Sequence, residues 1–175
     1  GLTSGENRDG FVDMTRALRS PGSTLKPLVY ALAFDRGLAH PQTLIDDAPV
    51  RFGSYAPQNF DGAFRGEVTV ERALQLSLNI PVVKLTEALG PAHLMAALRR
   101  SGAEPALQGS QPGLAIALGG LGLSLEDMVQ LYAALAQLGE ARPLFWRKGT
   151  DVLPSPDVTG AVAAWQVGDI LSQLA

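Results

Sequence analysis

An apolar repeat directly behind Pro21-Gly22 limits what this chain can fold into more than any other feature. Its members follow the i, i+3, i+4, i+7 spacing of one helix face: Leu25, Leu28, Val29 and Leu32. Pro27 fixes where the helix begins, because inside a regular helix its ring would clash with the carbonyl of residue 23. The spacing therefore predicts a helix with one face for burial, whose first turn carries Ser23 and Lys26.

Ser23 and Lys26 form a Ser-x-x-Lys pattern at this predicted helix start. Residues i and i+3 share a helix face, so the hydroxyl and the amine can meet within one turn. A neighbouring base can turn a serine into a nucleophile, and the free N–H groups of a helix start favour an oxyanion. The alternative is an N-capping serine followed by a solvated lysine, and the four residues alone leave both open.

A second polar group follows a short predicted helix over residues 70–76 that Thr69 can cap. Ser77 and Asn79 come directly after this helix, and Pro81 follows them. We expect both side chains on a loop between two helices, free to face a cleft. The alternative is that they only cap the ends of the loop.

Residues 32–38 and 40–44 look most like the corresponding segments of bifunctional class A penicillin-binding proteins, and further segments resemble the penicillin-binding transpeptidases in general. The segment Pro21-Gly22-Ser23-Thr24-Leu25-Lys26-Pro27-Leu28 looks like the nucleophile motif of that family, and residues 73–81, around Ser77-Leu78-Asn79, resemble its second motif. Residues 55–62 and 66–70 resemble the approach to the second motif. Ala117-Leu118-Gly119-Gly120, before a long helix with Tyr132-Ala133-Ala134, is also typical of the family. The likeness runs through nearly the whole chain.

The resemblance implies a D,D-transpeptidase of peptidoglycan cross-linking that works through a serine acyl-enzyme and is a target of β-lactams. It implies that Ser23 is the nucleophile, that Lys26 accepts its proton and that Ser77 relays a proton to the leaving amine. It implies that Asn79 holds the backbone amide of the substrate. A serine D,D-carboxypeptidase, a β-lactamase-like hydrolase and a non-catalytic binding module remain alternatives.

The third motif of the family, Lys or His followed by Ser or Thr and then Gly, does not occur in this sequence. Lys148-Gly149-Thr150 has the letters in the wrong order, and Arg100-Ser101-Gly102 is interpreted as a helix end with last-turn cations. We therefore expect residues 1–175 to be a fragment of one transpeptidase domain, without its N-terminal strands and its C-terminal Lys-Thr-Gly strand. Such a fragment would be weakly active or inactive.

The expected fold is mostly α: the helical part of the α+β penicillin-binding and serine β-lactamase-like fold, with most of the central sheet missing. After the first helix, the patterns predict helices at about 70–76, 81–89, 91–101, 124–138 and 159–174, with a capping box between Ser124 and Asp127. Residues 36–66 are expected to form a long loop over the cleft, with Asp46-Asp47 in a turn. The aromatic side chains of this loop either line a substrate groove or anchor the loop to the body: Phe52, Tyr55, Phe60 and Phe64.

The composition of the chain argues against several classes of partner and ligand. A formal net charge of −3 and the lack of a Lys/Arg run argue against nucleic acid, and no apolar run reaches the length of a membrane span. The chain has no Cys and only two His, far apart, so we expect neither a metal nor a cofactor. The expected partners are peptidoglycan stem peptides and β-lactams, on the periplasmic side of the bacterial inner membrane. Self-association is also expected, because the apolar face of the first helix would normally pack in part against the missing sheet.

Overall fold

Helices make up most of the regular structure in the computed structural model, which describes residues 13–107, 112–142, 144 and 156–174. The six α-helices of this part are α1 (Lys26–Asp35), α2 (Val70–Gln75), α3 (Asn79–Leu89), α4 (Pro91–Arg100), α5 (Leu125–Ala136) and α6 (Ala161–Ser172). The strands are β1 (Leu44–Asp47), β2 (Gly66–Thr69), β3 (Ala106–Leu107) and β4 (Leu121–Gly122), and 3-10 turns cover Gly22–Leu25 and Leu114–Leu118. Antiparallel pairs β1–β2 and β3–β4 are the largest sheets among the described residues. The prediction of a mostly helical chain is confirmed.

Helix α1 lies at the centre of the core. It packs against α3 and α6, and every side chain from Lys26 to Phe34 is buried. The predicted single apolar stripe was too narrow, because Tyr30 and Phe34, on another face of α1, are also buried. Their ring planes are tilted by 55°, and the ring centroids lie 6.4 Å apart. The predicted face is covered within this chain as well: Leu25, Leu28 and Val29 have no exposed surface, and Leu32 is 4% exposed. This face therefore gives no reason for self-association.

The segment between α1 and α2 is not only a loop. Its strand β1 pairs with β2, with Ile45 opposite Val68 and Asp47 opposite Gly66. The prediction of a turn at Asp46-Asp47 was wrong, since both residues lie in β1 and their side chains point to opposite faces. Asp46 is exposed, whereas Asp47 is completely buried.

The aromatic side chains of this segment divide into two groups. Phe52 and Tyr55 form a two-residue bridge, with backbone hydrogen bonds of 2.8 and 3.0 Å, and pack against the core. Phe60 is fully exposed and Phe64 is 38% exposed. Phe52 and Tyr55 therefore anchor the segment to the core, whereas Phe60 and Phe64 face outward.

The predicted helices agree with the observed ones to within about two residues at their ends. The capping box of α5 is present, because the Ser124 hydroxyl accepts from the Asp127 N–H at 3.1 Å and the Asp127 carboxylate accepts from the Ser124 N–H at 2.8 Å. Helix α3 begins two residues earlier than predicted. Pro81 is compatible with this start, because first-turn N–H groups have no partner within the helix.

Candidate active site

Ser23 lies in the 3-10 turn Gly22–Leu25, which leads directly into α1. Its side chain is exposed, in contrast to the buried Leu25 and Lys26 that follow. Within the described part of the chain, its hydroxyl makes no hydrogen bond, to Lys26 or to any other residue. The hydroxyl of Ser23 is thus open to a ligand at the start of the central helix.

Two other elements fix this turn in place. The Tyr132 hydroxyl of α5 donates to the backbone carbonyl of Thr24 at 2.8 Å, and the Ser20 hydroxyl donates to the carbonyl of Gly119 at 2.7 Å. Gly119 has a φ of 89° and packs against the backbone of Gly22. Sequence reasoning found the glycines and Tyr132 typical of the family without assigning them a role; their role here is to hold the Ser23 turn.

Lys26 is the first residue of α1, and its side chain is almost fully buried, at 1% exposure. Its amine donates to Asn79 Oδ1 at 2.6 Å, to Ser77 Oγ at 3.1 Å and to the Ser77 carbonyl oxygen. Burial lowers the pKa of this amine to about 8, because removal from water disfavours the charged form. The interpretation of Lys26 as a solvated lysine is therefore wrong.

Ser77 follows α2 in an unusual backbone conformation. Its φ of 54° is in the left-handed region, where non-glycine residues are uncommon. The Ser77 N–H donates to the Leu74 carbonyl and the Leu78 N–H donates to the Ala73 carbonyl, both at 2.9 Å. These two bonds form a Schellman motif, in which the position of Ser77 is usually a glycine. The motif directs the Ser77 carbonyl and hydroxyl toward the Lys26 amine.

Asn79 is the first residue of α3. The prediction that it lies on the loop before this helix was therefore wrong. Three of its hydrogen-bonding groups have partners outside α3. The Oδ1 atom accepts from Lys26, the Nδ2 atom donates to the Gln58 carbonyl at 2.7 Å, and the backbone N–H donates to Asn59 Oδ1 at 2.8 Å. The structure thus brings Lys26, Ser77 and Asn79 together from three separate elements.

The hydrogen bonds of Lys26 limit its proton chemistry. A charged lysine has three N–H donors, and here each has one acceptor. Two of these acceptors are carbonyl oxygens, which cannot donate, so a neutral amine keeps its two N–H groups on them. Its lone pair then faces Ser77 Oγ, whose hydroxyl hydrogen can turn toward it. The arrangement can therefore move a proton between Lys26 and Ser77.

The two rejected triplets lie away from this site or outside the described residues. Arg100 ends α4, where its guanidinium donates to the carbonyls of Asp157 and Val158, both at 2.9 Å. The Ser101 hydroxyl donates to the Leu98 carbonyl at 2.7 Å, and Gly102 follows with a φ of 89°. This is a helix end, as predicted. Lys148-Gly149-Thr150 falls outside the described residues.

Neither metal ligands nor a membrane helix can be identified in the part of the chain that the structure describes. No group of three or more His, Cys, Asp or Glu side chains there could hold a metal ion. None of the helices there combines the length and the apolar character needed to span a bilayer.

Comparison with known proteins gives the family of the chain. A family model described as the penicillin binding protein transpeptidase domain matches residues 6–171. The chain is 44% identical to penicillin-binding protein 1C of Escherichia coli over 168 residues, which cover 95% of this chain and 22% of that protein. It is 34% identical to penicillin-binding protein 1B of Vibrio cholerae over 146 residues, which cover 78% of this chain and 18% of that protein.

Solved structures show the same fold. PonA1 of Mycobacterium tuberculosis superposes with a TM-score of 0.79 at 23% identity, over 95% of this chain and 50% of that one. Its complex with penicillin V gives a TM-score of 0.78 at 22% identity, over 91% and 48%. The chain spans less than a quarter of the two sequence relatives and about half of these solved chains. Because the family model covers almost all of it, this chain belongs to the penicillin-binding protein transpeptidase domain family.

Proposed function

We propose that the protein containing this chain is a D,D-transpeptidase that cross-links peptidoglycan through an acyl-enzyme on Ser23. One observation carries the proposal. The buried amine of Lys26, three residues after the exposed Ser23, is bonded to both Ser77 and Asn79. A buried amine with a lowered pKa, next to a serine at a helix start, suits acyl transfer.

The proposed reaction begins with Ser23 Oγ attacking the carbonyl carbon of the penultimate residue of a D-alanyl-D-alanine stem peptide. The neutral Lys26 amine turns its lone pair from Ser77 Oγ to Ser23 Oγ and takes the Ser23 proton as the O–C bond forms. The C–N bond to the terminal D-alanine then breaks, and its nitrogen takes a proton through the Ser77 hydroxyl. An amine of a second strand then attacks the acyl-enzyme carbonyl and forms the cross-linking C–N bond, the ester C–O bond breaks, and the proton that the amine loses passes to Ser23 Oγ.

In the proposed mechanism, Asn79 and the backbone of Ser23 bind the substrate and stabilise the oxyanion. Asn79 would hold the substrate backbone amide, with its own side chain fixed by Lys26 and Gln58. The backbone N–H of Ser23 would supply one donor to the oxyanion, at the start of a helix whose dipole favours negative charge. β-Lactams would acylate Ser23 in the same way, and PonA1, which shares the fold, has been solved with penicillin V.

The proposal includes the place of the chain in a larger protein. We assign residues 1–175 to one part of a transpeptidase domain on the periplasmic side of the bacterial inner membrane. The partial coverage of the solved chains and the bacterial origin of the relatives support this assignment. Self-association is not part of the proposal, because the α1 face that suggested it is buried.

Intact-mass spectrometry of the protein that contains this chain tests the proposed function. After incubation with benzylpenicillin, we expect one penicilloyl adduct per molecule, located at Ser23 by peptide mapping. Ser23→Ala should abolish the adduct, whereas Ser172→Ala, at the exposed end of α6, should leave it unchanged. An adduct at another residue, or none on the wild-type protein, would overturn the proposal.

A product assay separates transfer from hydrolysis. With a D-alanyl-D-alanine peptide and an acceptor amine, the wild-type protein should release D-alanine and form the amide-linked product. Release of D-alanine with only the hydrolysed peptide as product would identify a carboxypeptidase instead.

A further inference from the structure

Asp47 is a buried carboxylate that the proposed mechanism does not use. It lies at the end of β1 with no exposed surface. Its oxygens accept from Asn59 Nδ2 at 2.9 and 2.8 Å and from the backbone N–H of Arg65 at 2.8 Å. A buried charge is costly unless hydrogen bonds satisfy it, and here they come from one side chain and one backbone group.

Asn59 connects this carboxylate to the active site. Its side chain is 6% exposed, and its Nδ2 atom also donates to the Ala63 carbonyl at 2.8 Å. Every contact of the Asn59 Nδ2 atom is with a hydrogen-bond acceptor. The amide oxygen Oδ1 must therefore face the one donor, which is the backbone N–H of Asn79 at 2.8 Å. The orientation of the Asn59 side chain is therefore set by Asp47 together with the Ala63 carbonyl.

The contact between Asn59 and Asn79 caps α3 from a distant part of the sequence. The first N–H groups of a helix have no partner within it, and Leu78, at the N-cap of α3, provides no side-chain cap. Asn59 Oδ1 supplies that acceptor from 20 residues earlier in the chain. The neighbouring Gln58 carbonyl holds the Asn79 side chain, so both contacts of this segment act on the residue that meets Lys26.

We propose that Asp47 and Asn59 are positioning residues for the acylation of Ser23, which hold the first turn of α3 so that Asn79 and Ser77 meet the Lys26 amine. This inference rests on the proposed function. Neither residue hydrogen-bonds to Ser23, Lys26 or Ser77 among the described residues, so each acts through Asn79.

A charge exchange between the two positions tests the inference in the protein that contains this chain. Asn59→Asp sets two carboxylates against each other, and Asp47→Asn sets an amide N–H₂ against donors. Each single variant should slow benzylpenicillin acylation, per folded molecule, by about tenfold to a hundredfold, because misplaced groups cost rate steeply. The double variant should recover part of this loss, since it restores an amide–carboxylate hydrogen bond and keeps an oxygen facing Asn79, while the Ala63 carbonyl loses its donor.

Two further measurements separate positioning from folding and from the proposed function. Hydrogen exchange at the Asn79 N–H should be faster in both single variants and slower again in the double variant. Asp46→Asn, the same substitution at the adjacent exposed residue, should change neither exchange nor acylation. Unchanged acylation per folded molecule in the single variants, or no recovery in the double variant, would overturn the inference. If the wild-type protein is not acylated at all, the proposed function fails, and unchanged exchange at Asn79 would then refute the capping role independently.

Discussion

At the scale of single residues, the lowered pKa of Lys26 gives the site a predictable pH dependence. Burial lowers this pKa to about 8, and only the neutral amine can accept the Ser23 proton. Acylation of the protein that contains this chain should therefore rise about tenfold per pH unit below pH 8 and level off above it. Stopped-flow or quenched mass spectrometry with benzylpenicillin measures this profile.

Two substitutions serve as controls for the pH profile, one at Lys26 itself and one at another lysine, Lys84. Lys26→Met should lose both the rate and its rise with pH, while Lys84→Met, at the partly exposed lysine that contacts Asp46, should keep the wild-type profile. A profile that is flat in the wild-type protein between about pH 6 and 9 would rule out Lys26 as the proton acceptor.

The backbone of Ser77 gives a second prediction at this scale. A serine in the left-handed conformation costs about 1 kcal/mol relative to glycine. Ser77→Gly should therefore have a free energy of unfolding higher than that of Ser77→Ala by about that amount, since both variants lose the hydroxyl that accepts from Lys26. Both variants should lose acylation, because both lack the hydroxyl beside Lys26.

Urea unfolding and acylation assays of the two variants separate conformation from chemistry. If Ser77→Gly retained the wild-type acylation rate, the hydroxyl would have no part in the reaction. If the two variants had equal stability, the backbone of Ser77 would carry no strain.

At the scale of elements, the Ser23 turn depends on how closely Gly119 approaches it. A Cβ added at Gly119 would lie 2.6 Å from the Cα of Gly22, and its positive φ disfavours any side chain. Gly119→Ala should therefore lower the free energy of unfolding by about 1–3 kcal/mol. It should also slow acylation per folded molecule, because the clash is with the residue that precedes Ser23.

Gly168 offers the matched control for this substitution. It lies exposed in the middle of α6 with nothing within 4 Å of an added Cβ. Gly168→Ala should raise the free energy of unfolding by up to about 1 kcal/mol through helix propensity and leave acylation unchanged. Equal effects of the two substitutions would show that the approach of Gly119 to Gly22 is unimportant.

The sequence predicted those elements whose signals are local. Helix α5 begins with a capping box, and Gly102 follows shortly after the end of α4. The apolar spacing together with these end signals therefore predicted both helices. The burial of Asp47 could not be predicted in this way, because it depends on β1 pairing with β2 about twenty residues later in the chain. Asn79 was placed on a loop because its cap, Asn59, is distant in sequence and α3 has no local cap.

The candidate site shows the same limit. Ser23, Lys26, Ser77 and Asn79 were found from short motifs and a family resemblance. Asp47 and Asn59 were missed as site residues, although Asn59 lies in a segment that resembled the family. The one available signal was an asparagine within a Pro- and Gly-rich segment, and turn chemistry explains such a residue equally well.

At the scale of the whole molecule, the site is a junction of distant segments. Lys26 begins the central helix α1, Ser77 lies in the turn before α3, and Asn79 is the first residue of α3. Asp47 and Asn59 belong to the segment between α1 and α2 that contains β1 and β2. Tyr132 of α5 adds a hydrogen bond to the Ser23 turn. Because these contacts join segments that are distant in the sequence, the geometry around Lys26 depends on the entire fold, whereas Ser23 is exposed.

As an isolated chain, residues 1–175 should react with β-lactams more slowly than the protein that contains them. The sequence has no Lys or His followed by Ser or Thr and Gly, and in the proposed mechanism the Ser23 N–H supplies one oxyanion donor where acyl transfer normally uses two. Loss of one donor costs about a hundredfold to a thousandfold in rate. The isolated chain should therefore acquire the penicilloyl adduct at least about a hundredfold more slowly than the protein that contains it. Intact-mass time courses of both, each confirmed as folded by circular dichroism, make the comparison, and equal rates would show that residues 1–175 already hold the complete acylation machinery.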